Sequence, residues 1–139
     1  MLGSRLLRAT AIALPLLLLT GCPKQPRTVL VDGREVPYEE AARASFDRAE
    51  ESFNKKEWRT ALGLYEAFGK DFPKSSLADD AVYRMGVIHE QLNDIPSAGR
   101  AFQNLIANYP SSDLAGEARF RLGVAYFRAA RALSALACC

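Results

Sequence analysis

Apolar positions along this chain follow three different rules. From Ala9 to Leu19 they run almost unbroken, interrupted by Thr10 and Pro15. From Thr28 to Val36, β-branched residues flank an Asp32-Gly33 pair, the pattern of two short strands joined by a type I′ turn. A two-stranded hairpin alone is marginal in water, so this stretch predicts a short hairpin or irregular arm packed on the first helix. From Glu39 onward the period becomes helical and predicts helices over residues 39–54, 57–70, 77–92, 96–108 and 114 to about 132. The boundaries carry punctuation. Ser76-Leu77-Ala78-Asp79 fits a capping box, Asp113 stands where it can cap the next copy, and Asn93-Asp94 reads as a tight turn before Pro96 in a first helical turn. Phe72-Pro73 and Tyr109-Pro110 end two of the helices, because proline cannot continue a helix and restricts its predecessor.

The helical part repeats. A shift of 37 places lays Asp71–Glu90 on Asn108–Phe127, with eight identities in twenty positions: Pro73/Pro110, Ser75/Ser112, Leu77/Leu114, Ala78/Ala115, Ala81/Ala118, Arg84/Arg121, Gly86/Gly123 and Val87/Val124. A fixed period of this size marks a solenoid, whose units bury their apolar faces only against neighbours. The expected architecture is all-α, a row of antiparallel helix pairs. Gly86 and Gly123 are expected at close inter-helix crossings.

The amino terminus reads as a targeting segment. Arg5 and Arg8 supply a positive n-region, and the apolar run behind them is too short to span a bilayer comfortably, which favours a secretory signal over residues 1–21. It ends in Leu19-Thr20-Gly21-Cys22, which resembles the bacterial lipobox. By that resemblance Cys22 becomes the diacylglycerol-bearing first residue of the mature protein, and Pro23 in place of an inner-membrane retention Asp favours delivery to the outer membrane. Residues 22–38 then form the lipidated Cys, a tether and the possible hairpin. Lipid contributes about 0.8 kcal/mol per buried methylene, so more than one chain anchors stably.

Removing residues 1–21 takes Arg5 and Arg8 from 18 basic residues and no acidic one, leaving 16 against 16. A near-neutral mature chain lacks the basic stripe of a nucleic-acid binder. The remaining cysteines, Cys138 and Cys139, are adjacent; neighbours seldom bridge without strain, and the pair fits a truncated or frame-shifted end better than a redox device.

Within one unit Gly86 lies where two helices cross, Ala98 opens the second helix with another close approach, Phe102 fills the space between them and Pro110 closes the unit. Ala49, Ala61, Tyr65 and Pro73 take these places in the preceding unit, and Leu122, Gly123 and Tyr126 start a third. This pattern resembles the tetratricopeptide repeat, with three residues more per unit than the usual 34 or so. On a lipidated chain, the Tyr-Pro-x-Ser repeats resemble the BamD-like outer-membrane lipoproteins, with periplasmic Tol-Pal-associated repeat proteins as a close relation. The resemblance covers roughly residues 39–128, about two and a half repeats. Residues 129–139 form an Ala-rich tail without the turn that should open another helix: an improvised cap, a truncation, or an end covered by a partner.

The resemblance implies a groove lined by the first helix of each pair and filled by partner proteins or peptides. Phe46, Tyr83 and Phe120 recur every 37 residues, and Phe53, Glu90 and Phe127 lie seven residues beyond them on the same face. Flanked by Arg43, Glu50, Asp80, Glu117 and Arg128, they form a candidate aromatic ladder. Aromatics anchor interfaces through large area at low entropic cost. The alternative is that these rings pack between units.

Little speaks for chemistry. His89-Glu90 could open a zinc-protease helix motif, but Asn93 stands where the second His must be. No phosphate loop, nucleophile elbow, Cys-x-x-Cys pair or acid pair stands out, and Trp58, matched by Ile95, reads as packing. The expectation is therefore a non-enzymatic scaffold, lipid-anchored at the periplasmic face of the outer membrane, binding protein partners or clients in β-barrel assembly. It has no cofactor beyond the lipid on Cys22, no metal, no nucleic acid and no small-molecule substrate. The alternative is the repeat module of a regulator of cell-wall synthesis or cell division.

Overall fold

A computed structural model of the chain describes residues 27–137. The signal segment, Cys22, the start of the tether, Cys138 and Cys139 lie outside the described residues. Two strands, β1 (Thr28–Val31) and β2 (Arg34–Pro37), precede five helices: α1 (Tyr38–Asn54), α2 (Trp58–Asp71), α3 (Ala78–Gln91), α4 (Ile95–Asn108) and α5 (Ala115–Ala137). The strands pair antiparallel from Thr28 opposite Pro37 to Val31 opposite Arg34. Asp32 and Gly33 turn between them with φ of 49° and 76°, as a type I′ turn requires. Tyr38 N–H donates to the Arg27 carbonyl at 2.6 Å, closing the hairpin onto the start of α1.

The helices stack in chain order, each packing on the one before and the one after. The fold is an all-α helical-hairpin solenoid, the architecture of tetratricopeptide arrays. α1 with α2 and α3 with α4 form the first two pairs, and α5 opens a third. Two core clusters follow the pairing. Ala42, Phe46, Ala49, Ala61, Tyr65, Phe68, Leu77, Ala81 and Ile88 form the first, and Ala98, Phe102, Leu105, Ala115 and Ala118 the second. Alanine is the commonest residue in both, because small side chains let helix backbones approach and leave room for large rings between the paired helices. Tyr65 and Phe68 with Phe46 fill that space in the first pair and Phe102 in the second, with Tyr65, Phe68 and Phe102 fully buried.

The loops between pairs explain the serine identities. In each, the serine N–H donates to the carbonyl of the aromatic before proline, Ser75 to Phe72 at 3.1 Å and Ser112 to Tyr109 at 3.0 Å. The same serine's hydroxyl accepts from the N–H two residues on, from Leu77 at 3.3 Å and Leu114 at 3.1 Å. This corrects the expected capping box at Ser76 and the expected cap at Asp113. α3 carries no side-chain cap at its N-cap residue, and Ser76 is engaged elsewhere: its N–H and hydroxyl both donate to the Glu39 carboxylate at 3.3 Å. Ser75 Oγ donates to the same carboxylate at 2.8 Å, tying the loop to the first turn of α1.

Within pairs, the turns contain one residue in the left-handed region, Lys56 (φ 61°) and Asn93 (φ 59°) at equivalent positions. Asp94 then caps α4 by accepting from Ser97 N–H at 3.2 Å. Hydrogen bonding from the Ser97 side chain first, and then from its backbone N–H, holds the Asp94 carboxyl below its ordinary range. The expected turn and the place of Pro96 in the first turn of α4 agree with this geometry.

Two expectations differ from the structure. α5 does not stop near Ala132 but continues to Ala137, because Ala, Leu and Arg are strong helix formers and no breaker intervenes. The glycines also part company. A Cβ on Gly86 would stand 2.5, 2.8 and 2.9 Å from three ring atoms of Phe102, so only glycine fits that crossing. A Cβ on Gly123 would meet nothing within 4 Å. The expected close crossing at Gly123 is absent because, among the described residues, no helix packs on α5 as α4 packs on α3.

Candidate partner-binding surface

Arginines at equivalent repeat positions join successive first helices. On α3, Arg84 grips the Glu50 carboxylate of α1 with two nitrogens, Nε at 2.8 Å and Nη2 at 3.2 Å. The paired geometry of guanidinium and carboxylate gives such contacts strength and direction. The guanidinium also lies over the Phe53 ring, 4.7 Å from its centroid, and Phe53 meets Trp58 edge-on at 5.3 Å. Tyr65 hydroxyl donates to the same Glu50. Burial first, and then the Glu50 carboxylate, push that phenol well above its usual range.

Arg121 repeats this role on α5. Its Nη1 donates to Glu90 at 2.6 Å, and its Nε to Tyr83 hydroxyl at 2.9 Å and to Glu117 at 2.8 Å. Burial alone would lower the Arg121 guanidinium, but the bond to Glu90, aided by Tyr83, outweighs it and holds the group above its ordinary value. Tyr83 in turn leans on Phe102 with centroids 6.0 Å apart.

The proposed groove residues therefore do not share one exposed stripe. Phe46 is only 7% exposed and packs against Tyr65 and Phe68 at 5.6 Å, so it belongs to the core and not to a groove wall. Tyr83 is half-buried, whereas Phe120 is 68% and Phe127 62% exposed. The gradient has a physical cause. In the first two pairs the second helix covers the ring of the first, and α5 carries no such cover among the described residues. Glu50 and Glu90 face arginines within the array, and Phe53 is sandwiched between Arg84 and Trp58.

Arg43, Glu117 and Arg128 are exposed, and Asp80 is half-buried. Burial first, then the neighbouring Asp79, Asp113 and Glu50, raise the Asp80 carboxyl above its ordinary value, although Arg84 opposes them. The surface of the first helices thus offers separate charged patches of both signs, with internal ion pairs holding the helices in register. Sequence reasoning missed Arg84, Arg121 and Glu39. The first two were signalled by their identity at the repeat spacing.

His89 is half-buried, its Nδ1 3.6 Å from Asp94 and without a hydrogen bond. Among the described residues there is no cluster of three or more acidic, His or Cys side chains placed to hold a metal. No described helix is long and apolar enough to cross a membrane.

A helical-hairpin array tied between neighbours in this way defines a protein-binding repeat fold. Consistent with this, residues 80–112 match the family model of the tetratricopeptide repeat. No curated protein matches the chain in sequence. Arrays of this repeat are in general non-catalytic scaffolds whose ligands are other proteins.

Proposed function

We infer that the protein is a lipid-anchored scaffold at the periplasmic face of the outer membrane, holding protein partners against the first helices of its repeats. The observation that carries this reading is the conjunction of Leu19-Thr20-Gly21-Cys22 with a repeat array that begins only 16 residues after Cys22. The lipid on Cys22 keeps the array within a short tether of the bilayer. Arg43, Asp80 and Glu117 give a partner charged contacts, and the ties of Arg84 to Glu50 and of Arg121 to Glu90 keep the supporting helices rigid. Rigid supports raise affinity by lowering the ordering cost of binding. Work in β-barrel assembly is the role favoured by the resemblance to BamD-like lipoproteins.

Two measurements test it. Mass spectrometry of the membrane-extracted protein should find diacylglycerol on Cys22, and Cys22→Ala should release the chain from membranes. Photo-crosslinkers at Arg43 and Glu117 should capture barrel-assembly components. Capture of cell-wall synthases instead would favour the regulatory reading, and an unmodified Cys22 thiol would remove the anchor.

A further inference from the structure

The face of α5 that points away from α4 repeats, position for position, the face of α3 that α4 covers. Val82, Tyr83, Gly86 and Val87 become Arg119, Phe120, Gly123 and Val124, and Phe127 stands where α3 has Glu90, which turns to Arg121 of α5. On α3, Gly86 is the ledge on which the Phe102 ring sits, and Val82, Tyr83 and Val87 pack around it. On α5 the same ledge is bare: Gly123 has open space above it, and Phe120 and Phe127 stand exposed on either side. Two large exposed rings flanking a glycine make an apolar helix-sized seat.

Its charge differs from that of α3. From Ala118 onward α5 contains Arg119, Arg121, Arg128 and Arg131 and no acidic residue. Arg121 is taken up by Glu90 and Glu117, whereas Arg119, Arg128 and Arg131 make no ion pair among the described residues. Arg131 lies over the Phe127 ring, 5.9 Å from its centroid. A second α5 docking there would set arginines against arginines, which opposes self-pairing.

We propose that the exposed Phe120-Gly123-Phe127 face of α5 is a docking site for an acidic amphipathic helix of a partner protein, seating an aromatic side chain on Gly123 and carboxylates against Arg119, Arg128 and Arg131. The site is separate from the surface of the first two pairs, and it stands whether or not Cys22 is lipidated.

The natural probe is a fluorescent peptide of residues 94–109, because α4 already fits the template face. One version carries Arg100→Glu, Asn104→Glu and Ala107→Glu, and the other carries Lys at these three positions. Anisotropy titrations against the full chain in a neutral detergent should show the acidic peptide binding at least about tenfold tighter, since apposed like charges cost well over the 1.4 kcal/mol that a factor of ten represents. Gly123→Leu fills the ledge without meeting any neighbour, so it should leave the melting temperature unchanged or raised while abolishing binding. Arg119→Glu with Arg131→Glu should invert the peptide preference.

Equal affinity for the two peptides would overturn the proposal, as would binding that survives Gly123→Leu. Self-association of the chain that Gly123→Leu removes would assign the face to a second copy. Attachment of α5 to phosphatidylglycerol vesicles that the acidic peptide fails to compete would assign it to lipid. Either result replaces the proposal.

Discussion

Two glycines at one repeat position should answer the same substitution with opposite signs. Replacing a helical glycine by alanine gains about 0.5–1 kcal/mol through reduced backbone entropy in the unfolded chain and better propensity. At Gly123, where a Cβ meets nothing within 4 Å, that gain should appear undiminished. At Gly86 the new methyl would stand 2.5–2.9 Å from three carbons of the fully buried Phe102 ring. Overpacking of this kind costs about 1–3 kcal/mol, and the ring cannot retreat because it fills the α3/α4 interface. The net effect at Gly86 is therefore a loss of about 0.5–2 kcal/mol after the propensity gain is subtracted. For a domain of this size each kcal/mol moves the melting temperature by about 4–8 °C. Gly123→Ala should melt a few degrees higher than the parent and Gly86→Ala about 2–16 °C lower. Thermal unfolding followed by circular dichroism reads both. Phe102→Leu combined with Gly86→Ala should restore part of the loss, because the smaller side chain vacates the space that the methyl needs. If both alanines shift the melting temperature in the same direction, the difference in cover between α3 and α5 is refuted.

Other consequences follow from the turns and the ion pairs. Lys56 holds the left-handed conformation that Asn93 holds in the next repeat, so Lys56→Asn should stabilise by about 0.5–1 kcal/mol in urea unfolding. Adding Glu57→Asp should supply the cap that Asp94 gives α4, for about 1 kcal/mol more. Glu50→Gln should cost about 1 kcal/mol, since it weakens the Arg84 tie at a half-buried site, and a double-mutant cycle with Arg84→Gln should show coupling. Asp80 has its carboxyl raised in the folded state, so its contribution favours folding at low pH and is lost as pH rises through the folded value. Asp80→Asn should accordingly raise the melting temperature at pH 7 and change it little near pH 3; an equal effect at both would contradict the burial and acidic-neighbour account.

Helical period, proline punctuation and the 37-residue identity made the array and its boundaries legible, because each reports on local geometry that the chain must satisfy in any context. Phe102 and Tyr65 were readable as the rings between paired helices for the same reason. The groove was not. Phe46, Tyr83 and Phe120 have the same place in the period, yet their exposure is set by whether another helix lies across them, and that depends on the neighbour and not on the residue. The caps failed in a related way. Ser76 has the composition of a capping box, but Glu39, 37 residues upstream, holds its hydroxyl, and such a long-range bond leaves no trace in local pattern. Gly123 shows the limit of identity itself, since the residue matched and its surroundings did not.

Stacking in strict chain order also determines how the molecule comes apart. Among the described residues, α2, α3 and α4 each pack between two helices, whereas α5 packs on α4 and is joined to α3 through Arg121. Amide exchange should therefore be fastest toward the carboxyl end of α5 and slowest across α2 and α3, with opening spreading inward unit by unit. Whatever occupies α5 would slow exchange there first and tighten the rest of the array behind it.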